Sequence, residues 1–154
     1  MDNTMNWKYQ DQIIESSDQF PEGTFGFVYL ITYIPTGRIY LGKKQLSSNR
    51  KAKLTKKEKS LTENKRKRFK RVVKESDWLT YWGSSDELKQ DVERLGKENF
   101  QREILCFCKS KMDLSYWEVH FQIKHEVLFT DSYNKNILGK FYKGKINEIE
   151  KNIE

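Results

Sequence analysis

The 154-residue chain is poor in cysteine, proline and histidine, with two of each. Two cysteines, Cys106 and Cys108, give no disulfide framework and fit a reducing compartment. With His120 and His125 downstream they imitate a two-Cys, two-His zinc site, but such sites put about two to four residues between the cysteines and here there is only Phe107. A strand, FQREILCFC, whose alternation puts both thiols on one face as small apolar groups, accounts for the pair without metal. The two histidines stand five residues apart and do not share a helix face, and neither has a Ser or Cys partner suggesting a hydrolytic triad. No apolar run approaches the ~20 residues of a membrane span. The start, MDNTMNWKYQDQIIESS, has neither a basic opening nor an apolar h-region, so a soluble cytoplasmic protein with no membrane partner is expected.

Positive charge is abundant, and its placement matters more than its sum of +7. From Arg50 to Lys74 there are thirteen Lys or Arg against two Glu, a local balance of +11, which leaves the rest of the chain at −4. A mildly acidic chain with one concentrated basic segment suits a polyanion, because each cation near a phosphate releases condensed counterions. Nucleic acid leads; a membrane surface is disfavoured because Leu54, Leu61 and Phe69 form no sustained apolar stripe. The plainer alternative is a solvated charged loop.

Two arms rich in β-branched and aromatic residues flank Pro35-Thr36-Gly37 in GFVYLITYIPTGRIYLGKK, which predicts a hairpin. The fold class expected is α+β: a small three-stranded antiparallel sheet, from residues about 26 to 34, 38 to 44 and 100 to 107, flanked by helices. Ser84 or Ser85 caps a helix over DELKQDVERL, with Leu88, Val92 and Leu95 on one face and Gly96 ending it. Asp113 is expected to cap a second helix, LSYWEVHFQIKHEVL, whose apolar face is read as Leu114, Trp117, Phe121 and Leu128. Residues 1–25 read as an irregular lead-in, 26–139 as the domain, about 51–76 as a basic insertion that is partly helix-permissive, and 140–154 as a charged tail and short helix candidate. Trp78 and Trp82, just after the basic run, are either core or a stacking platform for unpaired bases.

Glu118 falls on the apolar face of the second helix, four residues after Leu114 and three before Phe121. A carboxylate there either reaches solvent at the stripe's edge or belongs to a site, since burial without a partner or metal is costly.

In order and spacing these residues resemble the GIY-YIG nuclease family. Phe27-Val28-Tyr29 stands where its first motif ends in tyrosine, and Tyr40-Leu41-Gly42 stands where the second reads Tyr-Ile-Gly, with Phe27 and Leu41 as apolar departures. Arg50 lies at the distance of the family's arginine, with Arg66, Arg68 and Arg71 as alternatives in the insertion. Glu118 matches its metal-binding glutamate and Asn134 its later asparagine. YWGSSDELKQDVERLGKENFQREIL is similar to segments of phage-encoded homing-type members, and the likeness covers about residues 26–139.

That resemblance implies hydrolysis of a DNA phosphodiester, with double-stranded DNA as the expected partner, the host cytoplasm as the setting if the chain is phage-encoded, and one divalent ion per site, Mg²⁺ or Mn²⁺, held by Glu118. Arg50 would neutralise charge on the phosphoryl oxygens. Tyr29 would assist deprotonation of water, which requires a cation such as Lys43, Lys44 or Arg50 to lower a phenol of pKa ~10. Tyr40 would orient phosphate or water, and Asn134 would fix the adjoining loop or serve as an ordinary turn residue. DNA would be held by Lys43, Lys44, Lys51, Lys53, Lys56, Lys57, Arg66, Arg68 and Arg71. The alternative is a catalytically silent DNA- or RNA-binding module on the same scaffold.

Overall fold

The computed structural model describes residues 5–64 and 66–150, leaving the side chains of 48–52 and 71–73 undescribed. The expected hairpin is present as β3 (Gly26–Tyr33) and β4 (Arg38–Gln45), with Gly37 at φ +77° in the turn, a backbone region costly to other residues. It joins β7 (Phe100–Cys108), and the register pairs Tyr29 with Gly42 and Ile31 with Tyr40. A bulge between Val28 and Tyr29 shifts the pairing with β7 from Cys106 to Ile104.

The sheet has five strands rather than three. Residues read as an irregular lead-in supply β1 (Trp7–Tyr9) and β2 (Gln12–Ile14), giving the order β2-β1-β7-β3-β4, with β1 parallel to β7 and the other pairs antiparallel. Trp7 drives this addition: it is fully buried, edge-on to Phe27 and Tyr29, and its indole N–H donates to the Trp78 carbonyl at 2.8 Å. Burial of one large apolar side chain contributes about 1.5–3 kcal/mol, enough to hold a three-residue strand.

The basic insertion forms a separate antiparallel ribbon of β5 (Ser47–Lys53) and β6 (Phe69–Glu75), bridged by a one-turn helix α1 (Lys56–Leu61) with a Thr55/Glu58 capping box. Its root is fixed by backbone bonds from Leu46 N–H to Phe25 O and from Ser76 N–H to Leu46 O, 2.9 and 2.8 Å.

One sheet face carries Phe27, Tyr29 and Ile31 against Phe20, Trp78 and α2 (Asp86–Leu95), whose Leu88 and Val92 point inward; Ser85 is its cap and Gly96 its end. Trp78 is therefore core, and Trp82 packs edge-on to Phe100 and against Arg102. The other face is covered by α3 (Lys111–Lys124) and the turn after it, through Leu114, Val127 and Leu128. Ser110, not Asp113, caps α3: its hydroxyl accepts the Asp113 N–H at 3.0 Å, so Asp113 sits in the first turn where its charge favours the helix dipole. Trp117, read as inward, is 41% exposed, and Gln122 is buried instead. A two-stranded turn, β8 (Asn136–Ile137) with β9 (Phe141–Tyr142), follows, and the tail is not helical as far as residue 150. Among the described residues no helix is long and apolar enough to cross a membrane.

Candidate active site

Strand β4 is the sheet's edge, and its outward backbone groups would invite another strand if left bare. They are taken one after another by polar groups from the far end of the chain. Ile39 O accepts the Tyr133 N–H at 2.8 Å, and Leu41 N–H donates to Asn134 Oδ1 at 2.9 Å. Leu41 O accepts from Asn134 Nδ2 at 2.8 Å and from Gln122 Nε2 at 3.1 Å, and the Lys43 backbone N–H reaches the Glu118 carboxylate. Asn134 is thus buried and holds the middle of the Tyr40-Leu41-Gly42 stretch as a strand would.

Gly42 determines what stands above that edge. A Cβ there would lie 2.5 Å from the Tyr29 hydroxyl, 2.7 Å from its Cζ and 3.0 Å from Tyr40 Cε2, so glycine alone admits both rings. Their centroids are 6.2 Å apart, and Tyr40 Oη shares a 2.7 Å hydrogen bond with Ser84 Oγ. Tyr40, Ser84, Glu118, Gln122 and Asn134 line a cavity of about 430 Å³.

Glu118 is half-buried at the wall of this cavity, with Lys43 Nζ 3.9 Å away. Burial pushes its carboxyl up from the ordinary value, and Lys43 offsets this only in part. Burial also holds the Tyr29 phenol well above its ordinary value, reinforced by Tyr40, a hydrogen bond to Tyr81 and the nearby Glu118 charge. Those influences oppose the phenolate a general base requires, and among the described residues no cation is one of them. Tyr40 is raised by burial as well, with Ser84 acting in the opposite direction.

Residues 7–146 match the family described as "Putative endonuclease segE, GIY-YIG domain". The chain belongs to the GIY-YIG endonuclease family. No curated protein and no solved structure gives a significant match. Membership carries a nuclease-type function and a nucleic-acid substrate, and the matched span takes in β1 and β2 as well as the hairpin.

The donor set in this GIY-YIG domain fits a hydrated ion rather than a caged one. Among the described residues no three His, Cys, Asp or Glu side chains cluster to hold a metal, whereas one under-compensated carboxylate on a polar cavity suits Mg²⁺, which keeps several waters beside one or two carboxylates. Zinc at the cysteines is disfavoured. Their sulfurs are 3.9 Å apart on the α3 face, and burial pushes both thiols up, Cys108 to about 12, against the thiolate a metal needs. His120 packs on Trp117 and Phe121, and His125 is exposed at the end of α3.

The cations divide by position. Lys43 adjoins Glu118, while Lys44 is held by Asp77 at 2.6 Å and lies over the Tyr81 ring. Lys53, Lys56, Lys57, Arg66 and Arg68 are exposed on the ribbon or its connection. The side chains of Arg50, Lys51 and Arg71 lie outside those described, but their strand positions are given. Arg50 is three residues, about 10 Å, from the ribbon's root, whereas Arg66 and Arg68 lie beyond its tip, about 23 Å from the root. Three site residues had not been anticipated: Ser84, Ser115, whose hydroxyl accepts from Lys43 Nζ at 2.9 Å, and Gln122. Gln122 alone carried a signal, being one helical turn beyond Glu118 on the same face.

Proposed function

We propose that this chain hydrolyses phosphodiester bonds in double-stranded DNA with one divalent ion, Mg²⁺ or Mn²⁺, held by Glu118, as a phage-type homing or DNA-processing nuclease. The observation that carries this reading is the half-buried Glu118 carboxylate lining one cavity with Tyr40 and within electrostatic reach of Tyr29. When bound there, the ion supplies positive charge to the phosphoryl oxygens and eases deprotonation of a bound water. Glu118 holds it. Lys43, fixed by Ser115, and Arg50, near the ribbon's root, meet the charge that grows on the phosphate. Tyr40, anchored by Ser84, orients phosphate or water through its hydroxyl. Tyr29, whose phenol is pushed up by burial, acts in this reading as a neutral hydrogen-bonding partner of water or phosphate. It would assist deprotonation only with a cation such as Arg50 brought beside it. Asn134 is a positioning residue, acting through Leu41.

The test is Glu118→Gln, which removes a metal-ligand charge without changing volume. Metal-dependent cleavage of plasmid or phage DNA should be lost while duplex binding is kept; normal cleavage by this variant removes the assignment. If the wild type binds DNA and cuts none under Mg²⁺ or Mn²⁺, the chain is the silent binding module instead.

A further inference from the structure

Beside the Glu118 cavity, on the other side of Lys43, lies a second cavity of about 340 Å³ lined by Lys43, Lys44, Gln45, Tyr81, Lys111 and Leu114. Three of its six lining residues are lysines and none is a carboxylate, in a part of the chain that is acidic overall outside the basic insertion. The lysines come from two elements, β4 and the first turn of α3, so the folded chain and not a charge run brings them together.

They are not equally committed. Lys44 is neutralised by Asp77 at 2.6 Å and lies 4.0 Å from the centroid of the Tyr81 ring. Lys43 donates one N–H to Ser115 at 2.9 Å and shares its charge with Glu118 at 3.9 Å, with N–H donors left for a further acceptor. Lys111 is exposed and makes no ion pair among the described residues. Lys111 is therefore the lining cation with no ion-pair partner among the described residues, and Lys43 stands between it and Glu118.

We infer that this cavity is a phosphodiester-binding subsite, in which Lys111 and Lys43 grip the phosphate next to the one presented to Glu118 on the same DNA strand. The inference rests on the nuclease reading for the identity of the neighbouring phosphate. Lys43 belongs to both cavities' surroundings, 3.9 Å from Glu118 and lining the lysine pocket, so a strand seated in one leads into the other. Contact with a phosphate fixes register and carries no base information, so the subsite sets where the strand lies and not which sequence is cut.

The experiment measures binding of a mixed-sequence duplex against salt, in EDTA so that nothing is cleaved, for wild type, Lys111→Gln, Lys111→Arg and, as reference, Lys124→Gln at the far end of α3. Loss of one phosphate contact should make the log–log slope of Lys111→Gln shallower by about 0.9, with Lys111→Arg and Lys124→Gln like the wild type. A panel of duplexes, each with one methylphosphonate, should then show a single position whose neutralisation weakens the wild type more than Lys111→Gln, adjacent to the bond cut when Mg²⁺ is added. A slope for Lys111→Gln equal to that of the wild type overturns the subsite, whatever the cleavage result. A shallower slope with no cleavage by the wild type leaves an anion subsite standing while the nuclease reading falls.

Discussion

Replacing Gly42 with alanine should lower both stability and cleavage, and by separable amounts. The added methyl would stand 2.5 Å from the Tyr29 hydroxyl and 2.7 Å from Cζ, where ordinary carbon contacts begin near about 3.5 Å. A flexible side chain would swing aside, but Tyr29 is a rigid ring, 1% exposed, with Trp7, Tyr81 and Phe27 at centroid distances of 5.5, 6.0 and 6.2 Å. The overlap must be relieved by backbone or by the whole aromatic group. Overpacking of this kind costs about 1–3 kcal/mol. At about 2–4 °C per kcal/mol for a chain of this size, Tm should fall by roughly 2–12 °C.

The activity loss should exceed what unfolding explains, because a displacement of about 1 Å in a positioning group can cost about 100-fold. The assay pairs thermal unfolding, followed by circular dichroism, with single-turnover cleavage at a temperature where every variant is folded. Phe20→Leu serves as a destabilised reference, since Phe20 packs on Phe27, Trp78 and Phe107 and makes no ring contact with either site tyrosine. It should lose stability but keep its cleavage rate. Wild-type Tm and rate in Gly42→Ala would refute the claim that the missing side chain sets the two tyrosines.

Glu118→Gln should gain thermal stability at neutral pH: burial raises the carboxyl's pKa in the fold, so its contribution is fully present below the unfolded value of about 4.3 and is lost as pH rises through the folded one. The gain over wild type should vanish below about pH 4, and Mg²⁺ should raise Tm in the wild type only; a gain independent of pH contradicts the burial argument. Asn134→Ala leaves the Leu41 N–H without its 2.9 Å acceptor, at a cost of about 1–3 kcal/mol, and amide exchange at Leu41 should accelerate; unchanged exchange would show that Asn134 does not brace the strand. For the ribbon, half a dozen phosphate contacts predict a salt slope of about −5, and changing Lys51, Lys53, Lys56 and Lys57 together to Gln should flatten it on all sequences alike. Equal slopes would make the ribbon a solvated hairpin.

The hairpin and third strand were legible because their signals are local. β-branched and aromatic residues dominate β3 from Phe27 to Tyr33 and recur at Ile39 and Tyr40 of β4, on the two sides of Pro35-Thr36-Gly37. Strands β1 and β2 were not legible: each has three residues, and the turn between them uses Gln10 and Asp11 at φ +48° and +65°, where a glycine would have announced it. They exist because Trp7 finds Phe27 and Tyr29, partners about twenty residues away, and because β7 offers an edge far along the chain. The ribbon was hidden for another reason. Its strands alternate no apolar face that a core would require, so pairing rather than burial defines them.

The helix carrying Glu118 shows how far periodicity reaches into a site. Spacing placed Glu118 on the inward side correctly, yet chose Trp117 as its neighbour where the fold turns Gln122 inward. A helix lying flat on a sheet would bury an apolar stripe. This one passes beside the β4 edge, whose open carbonyl and N–H groups need polar partners, and Glu118 and Gln122, one turn apart, supply them at Lys43 and Leu41. Polarity on an otherwise apolar face was therefore the clue to the edge. The tyrosine chemistry lay further out of reach, because the proton affinity of Tyr29 depends on its burial first and then on Tyr40, Tyr81 and Glu118, which meet only once the sheet has formed. Motif spacing singled out the pair, but only the fold shows that burial pushes the Tyr29 phenol above its ordinary value.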